Sequence, residues 1–124
     1  MFPIKFRAWS EKFKEFSVQG EPDLETLQSF MFHYGDSKHL MVSTGLVDKN
    51  NNIIYESDVL GGIFENCIVI YCDKCKSFQL AIIDEDIKAI DCLACSKDLY
   101  WSELVESCDK GEAEVIGNIY QGVL

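Results

Sequence analysis

Basic side chains are scarce in this sequence. Eleven Lys and Arg stand against twenty-one Asp and Glu, a formal charge of −10 over 124 residues. Non-specific affinity for nucleic acid comes from Lys and Arg neutralising phosphates, so the shortage argues against a phosphate-driven binder. A chain of this charge is drawn to basic surfaces instead. Residues 1–20 carry four basic and two acidic side chains, so the acid excess lies in the remainder. Long apolar runs are missing too: no stretch approaches the roughly 20 residues that span a bilayer. The start, Met1-Phe-Pro-Ile-Lys-Phe-Arg7, lacks the apolar core of a secretory signal. Histidine is nearly absent, with only His33 and His39. There is no Gly-rich phosphate loop, nucleophile elbow or HExxH. The expectation is a non-enzyme.

What the chain does have is cysteine at telling intervals. Cys72-Asp-Lys-Cys75 is followed by sixteen residues and then Cys92-Leu-Ala-Cys95. Two C-x2-C pairs at this separation match a zinc pattern. Each pair makes a tight turn presenting two thiolates from one side, and two facing turns place four sulfurs around one tetrahedral ion. Such a site is closed to water, so its expected role is structural. The competing readings are a redox dithiol or two disulfides. A thioredoxin-like pair opens a helix, whereas both pairs here follow β-like runs. Disulfides suit a secreted chain. Free thiols and a missing signal together set the expectation of a reducing cytoplasm. Cys67 reads as a small buried hydrophobe in an apolar run. Cys108, in a polar stretch, reads as exposed.

Taken in order, Phe2–Trp9 alternates as a half-buried strand, and Phe13–Val18 reads as a second. Asp23 is the expected cap of a helix reaching Tyr34, with Leu24, Leu27, Phe30 and Met31 on its apolar stripe. Lys38–Thr44 returns to strand. Asp48-Lys-Asn-Asn-Asn52 is a turn of residues that tolerate left-handed geometry. Ile53–Tyr55 is a strand, and Gly61-Gly62 a bend. Ile63–Tyr71 and Phe78–Ile83 are β runs flanking the first cysteine turn, as in a zinc ribbon. Ile87–Ile90 leads into the second turn, Asp98–Ser107 is a short helix, and Val115–Tyr120 closes the chain.

Three blocks carry a family resemblance: Ile4-Lys-Phe-Arg-Ala-Trp9, the stretch from Ser43 to Leu60 with Tyr55-Glu-Ser-Asp58 inside it, and Glu114-Val-Ile-Gly-Asn-Ile-Tyr120. In this order they resemble the YopX family of small phage and prophage proteins. The resemblance implies a mainly β (α+β) domain of small-barrel type, phage-encoded and acting in the host cytoplasm. It carries no catalytic residues. The family has Gly where this chain has Ser57, which suggests a less tight turn. The four cysteines are not a general family feature. The expected organisation is therefore one domain over residues 1–124, with a zinc-ribbon-like lobe over 63–108 and one or two short helices.

The remaining candidates are weaker. His33, Asp36 and His39 read as solvated surface more readily than as a metal or proton site. Asp84, Glu85 and Asp86 form an acidic turn, the candidate partner-binding surface; Asp109, Glu112 and Glu114 read as solvated acids. A small, acidic, zinc-holding phage protein is similar to anti-CRISPR inhibitors. The most concrete expectation is therefore an inhibitor that covers a basic surface of a type II RNA-guided nuclease and blocks guide or DNA loading. The alternative is a nucleic-acid-binding zinc ribbon of phage regulation. Its knuckle lysines, Lys74, Lys76, Lys88 and Lys97, are outnumbered by neighbouring acids. An enzyme built on His39 and carboxylates has the least support.

Overall fold

A computed structural model describes residues 4–20, 25–34, 39–64, 67–83, 89–95, 97 and 99–121. The chain runs β1 (Phe6–Ser10), β2 (Glu15–Val18), α1 (Leu27–Tyr34), β3 (Leu40–Val47), β4 (Ile53–Tyr55), β5 (Asp58–Leu60), β6 (Cys67–Cys72), β7 (Ser77–Ile83), β8 (Ala89–Cys92), α2 (Trp101–Asp109) and β9 (Val115–Asn118). One-turn 3-10 helices occupy Gly62–Phe64 and Ile119–Gln121. The expected mainly β class with two short helices is what forms. The barrel takes the shape of a half-barrel: two curled antiparallel sheets, ordered β2-β1-β3-β4 and β8-β7-β6-β5-β9. The tight turn between Tyr55 and Asp58 carries the chain from one sheet to the other.

The first sheet is built from local hairpins. Lys14 takes a left-handed φ of 53° and donates its N–H to the Ser10 carbonyl at 2.7 Å, which closes β1 onto β2. The register of β3 against β4 shifts between Ser43 and Val47, and Gly45 sits within that bulge at φ 87°. Thr44 answers the disrupted ladder. Its hydroxyl donates to the Ile54 carbonyl at 2.8 Å and accepts the Leu46 N–H at 3.2 Å. Helix α1 covers β1 through Phe30, which packs with Ala8 and the half-buried Phe6, Met31 and Leu40. Its first turn is held by Thr26, whose hydroxyl accepts the Ser29 N–H at 3.0 Å. Asp23, the expected cap, lies outside the described residues. The aromatic stripe is only partly core: Phe30 is fully buried, while Phe32 is 85% exposed.

The second sheet reads differently because both of its faces are covered. Leu60, Cys67, Val69 and Leu80 face a cluster shared with Ile54 of the first sheet and Leu104 of α2. Val59, Ile68 and Ala81 are buried on the other face, with Ile70 and Ile119 against them. A strand buried on two sides needs no polar alternation, which is why Cys67-Ile-Val-Ile70 is an unbroken apolar run. That strand is shorter than its sequence suggests: Ile63 and Phe64 belong to a one-turn helix instead, after Gly62 at φ 65°. The β6–β7 hairpin pairs without interruption from Cys67 opposite Ile82 to Cys72 opposite Ser77. Its tip is the first cysteine turn.

Candidate metal centre

Each cysteine turn is shaped by a left-handed residue beside it. After Cys75, Lys76 adopts φ 56° and donates its N–H to the Cys72 carbonyl at 2.8 Å, so β6 reverses into β7. The Cys75 N–H points at Cys72 Sγ, 3.5 Å away. The second turn leaves β8, where Cys92 lies opposite Ala81 and Leu93 donates its N–H to the Leu80 carbonyl at 2.9 Å. Lys97, at φ 62°, closes it by donating to the Ala94 carbonyl at 3.1 Å. Neither lysine position carries the glycine that left-handed geometry favours.

The two turns bring all four sulfurs within 4.8 Å of one another. Cys72 to Cys95 and Cys75 to Cys95 are each 3.6 Å, and Cys75 to Cys92 is 3.9 Å. Four sulfurs bonded at about 2.3 Å to one tetrahedral ion stand about 3.8 Å apart, so these spacings fit a tetrathiolate site. None of the cysteines forms a disulfide. The arrangement is able to hold a metal ion. As thiols, the four do not share the burden evenly. The Cys75 N–H, above all, holds the Cys72 thiol down to about 7, whereas the hydrogen bond that Cys75 donates to Cys95, together with burial, pushes Cys75 up to about 12. The Cys95 thiol is also raised, chiefly through its contact with Cys72. Held by Cys72, Cys75, Cys92 and Cys95, a cation would replace the shared protons and remove this competition.

Among the described residues, these four cysteines are the group of three or more potential ligands that converges. His33 is exposed on α1, its ring edge-on to Phe32 at 5.3 Å. His39 lies 3.7 Å from Glu11, and its ring meets that of Tyr120 at a tilt, with centroids 4.5 Å apart. Asp36 lies outside the described residues, as do Asp84, Glu85 and Asp86, the expected partner-binding turn. Glu114 pairs with Lys49 at 3.3 Å, while Asp109 and Glu112 are exposed. Cys67 is buried as expected, and burial raises its thiol. Cys108 departs from its expected exposure. It falls one helical turn after the buried Leu104, so α2 turns it inward against the main apolar cluster. Burial, with Asp109 and Asp48 nearby, pushes its thiol up to about 11.

A second constellation was not anticipated from the sequence. Arg7, Asp58 and Asn118 come one each from the three blocks that carry the family resemblance. Arg7 Nη2 donates to Asp58 Oδ1 at 2.6 Å, and Asn118 Nδ2 donates to the same oxygen at 2.9 Å. The Tyr55 N–H donates to Asp58 Oδ2 at 2.8 Å. The guanidinium is sandwiched between Phe16 and Tyr55, 4.1 Å from each ring centroid. Burial pushes the Asp58 carboxyl up, against the pull of Arg7 and the other donors. Ser57 holds the intervening turn at φ 73°, the geometry for which the family uses glycine, so the turn does not open. This knot floors a cleft of about 590 Å3, walled in part by Phe16, Ile53, Val115 and Ile116. Asp48, in the turn that supplies Asn51 and Asn52 to the cleft wall, does similar work. It accepts the N–H groups of Asn50, Asn52 and Val115, each at 2.9 Å. The signal for both was present as short, separated identities, but nothing in one sequence says that residues 51 and 60 positions apart will meet.

No curated protein matches the chain. A family described as YopX protein does, over residues 18–123. That span holds the whole of two of the three blocks, the Asp58 turn, both cysteine turns and the closing strand. Family membership points to a small protein of phage type. By this match over most of its length, the chain belongs to the YopX protein family.

Proposed function

We propose that this chain is a zinc-clamped acidic protein that binds a basic surface on a host protein and thereby inhibits it. The four-sulfur cluster carries the metal half of the reading. Zinc is the ion whose preferred tetrahedral, all-cysteine geometry these spacings match, and a site with four protein ligands leaves no position for catalysis. Charge carries the partner half. Four thiolates and one dication add two further negative charges to a chain already at −10. The sequence supplies Asp84, Glu85 and Asp86, and the solvent side of α2 and the turn after it expose Glu103, Glu106, Asp109 and Glu112, with Lys110 as their basic neighbour. Carboxylates arrayed in this way suit the Arg- and Lys-lined grooves that otherwise hold nucleic acid. The most concrete partner is a type II RNA-guided nuclease in the bacterial cytoplasm, with guide or DNA loading as the step blocked.

The test is binding of the purified protein to such a nuclease at low and high salt, with and without guide RNA. A salt-sensitive complex that competes with guide or DNA supports the reading. No complex at low salt removes this partner. A steep salt slope in a gel shift with DNA or RNA favours the nucleic-acid alternative. Asp84→Lys combined with Glu85→Lys is expected to weaken binding at unchanged metal content. A parallel Glu103→Lys, Glu106→Lys variant locates the face.

A further inference from the structure

The four cysteines are not equally exposed. Cys72 and Cys92 are each 8% exposed, Cys75 is half-buried, and Cys95 is open to solvent. Cys95 also lies 3.6 Å from both Cys72 and Cys75, the two sulfurs of the opposite turn. We propose that Cys95 is a site of oxidative modification, through which a peroxide converts the four-sulfur clamp into a disulfide running between the two cysteine turns.

The Cys95 thiolate attacks one oxygen of hydrogen peroxide; an S–O bond forms, the O–O bond breaks, and the departing hydroxide takes a proton to become water. The Cys75 or Cys72 thiolate then attacks the oxidised sulfur. An S–S bond forms, and the second oxygen leaves as hydroxide and is protonated to water. Two sulfurs lose one electron each and the peroxide gains two. Exposure selects the first sulfur: four cysteines holding one cation are all thiolates, so access decides among them. Distance selects the second: each neighbour has only to approach by about 1.5 Å to reach disulfide length.

The direction of the new bond matters more than its formation. A disulfide within one C-x2-C turn would leave the β6–β7 tip and the segment after β8 untied. Sulfur contacts at 3.6, 3.6 and 3.9 Å cross from one turn to the other. Oxidation along any of them joins the same two elements that the ion joins. The ion loses two ligands and leaves, yet the link persists. Chelation under reducing conditions, by contrast, removes the link altogether.

The experiment uses the metal-loaded full chain, freed of reductant, with graded hydrogen peroxide. Released ion is read with a chromogenic chelator, the disulfide by peptide mapping without reduction, and the link by trypsin at the exposed Lys74, Lys76 and Lys97. The expected result is metal release in step with a Cys95–Cys75 or Cys95–Cys72 bond. Tryptic cutting should stay near the metal-loaded rate, while the chelated, reduced protein is cut several-fold faster. A Cys108→Ser variant should respond unchanged. A bond within one turn, first modification at Cys108, or cutting as fast as in the chelated protein would each overturn the proposal. The release arm rests on the zinc reading and the mapping arm does not. A chain that purifies without metal sinks the zinc reading, while the disulfide map still decides this one.

Discussion

The cysteine centre and the Arg7–Asp58–Asn118 knot both tie distant parts of the chain, by opposite means. The cysteine centre uses four identical ligands within 23 positions of one another, placed by two short turns. The knot uses three different residues spread over most of the chain, with Asp58 accepting from both of the others and from the Tyr55 N–H. In the first, a bound cation would absorb the negative charge. In the second, Arg7 does so, with its side chain 13% exposed and that of Asp58 2%. A metal clamp is strong because its bonds do not compete with water for their geometry. A buried ion pair must overcome the dehydration of both partners, and it holds only while every member is present.

That contrast can be broken in order of expected effect. Replacing Cys72 by Ser is expected to do the most damage. The variant should purify without metal and open at the β6–β7 tip, because binding energy at structural zinc sites rivals the whole stability of a small domain. Elemental analysis and tryptic cutting at Lys74 and Lys76 check it. Retained metal would show that three sulfurs suffice. Next comes Asp58→Ala, which strands the Arg7 charge between two rings. It should cost about 3–5 kcal/mol in chemical denaturation and leave metal content unchanged. If metal were lost with it, the two ties would prove to be one.

Asp48→Ala should cost about 1–3 kcal/mol, the worth of hydrogen bonds to a charged acceptor, and it should also alter the acid limb of the stability curve. Burial pushes the Asp48 carboxyl up, but the N–H groups of Val115, Asn52 and Asn50 pull it down further, so its folded value lies below the ordinary one. Its contribution is therefore complete above the unfolded carboxylate value of about 3.9 and disappears as pH falls through the lower folded value. Asp58, raised by burial, has the opposite sign: its contribution improves as pH falls through the raised value. Denaturation midpoints between pH 2 and 7 should separate the two, Asp48→Ala flattening the acid loss that the parent shows. The smallest effect is a gain. Ser57→Gly relieves a left-handed serine and should stabilise by about 1 kcal/mol, read as a shift in denaturant midpoint at constant slope.

How much of this was legible follows from sequence distance. The cysteine centre could be read because metal spacing is a local code: C-x2-C fixes a turn, and the turn fixes two sulfurs. The hairpins were equally local, and the Asp48–Asn52 turn, with Asn51 at φ 64°, formed where its residues place it. Strand ends were less legible. Ile63 and Phe64 have β-type side chains, but Gly62 bends the backbone before them into a helical turn. Cys108 sits in a polar stretch, yet helical periodicity sends it inward with Leu104. Arg7 alternates as an outward residue of β1, and only the meeting there of Phe16 from β2, Tyr55 from β4 and Asp58 from β5 covers it. Such coverage is a property of topology and leaves no local trace.

The Asp48 carboxylate also bears on the order in which the molecule assembles. Two of its three N–H partners lie in its own turn and the third is 67 positions away. The near pair can close as soon as the β3–β4 hairpin forms, because short loops cost little entropy to shut. The acceptor for β9 is then built in advance, and the last strand docks onto a prepared edge. Folding kinetics should therefore report early structure at residues 48–52 and late structure at Val115, the reverse of what a nucleus at the closing strand would give.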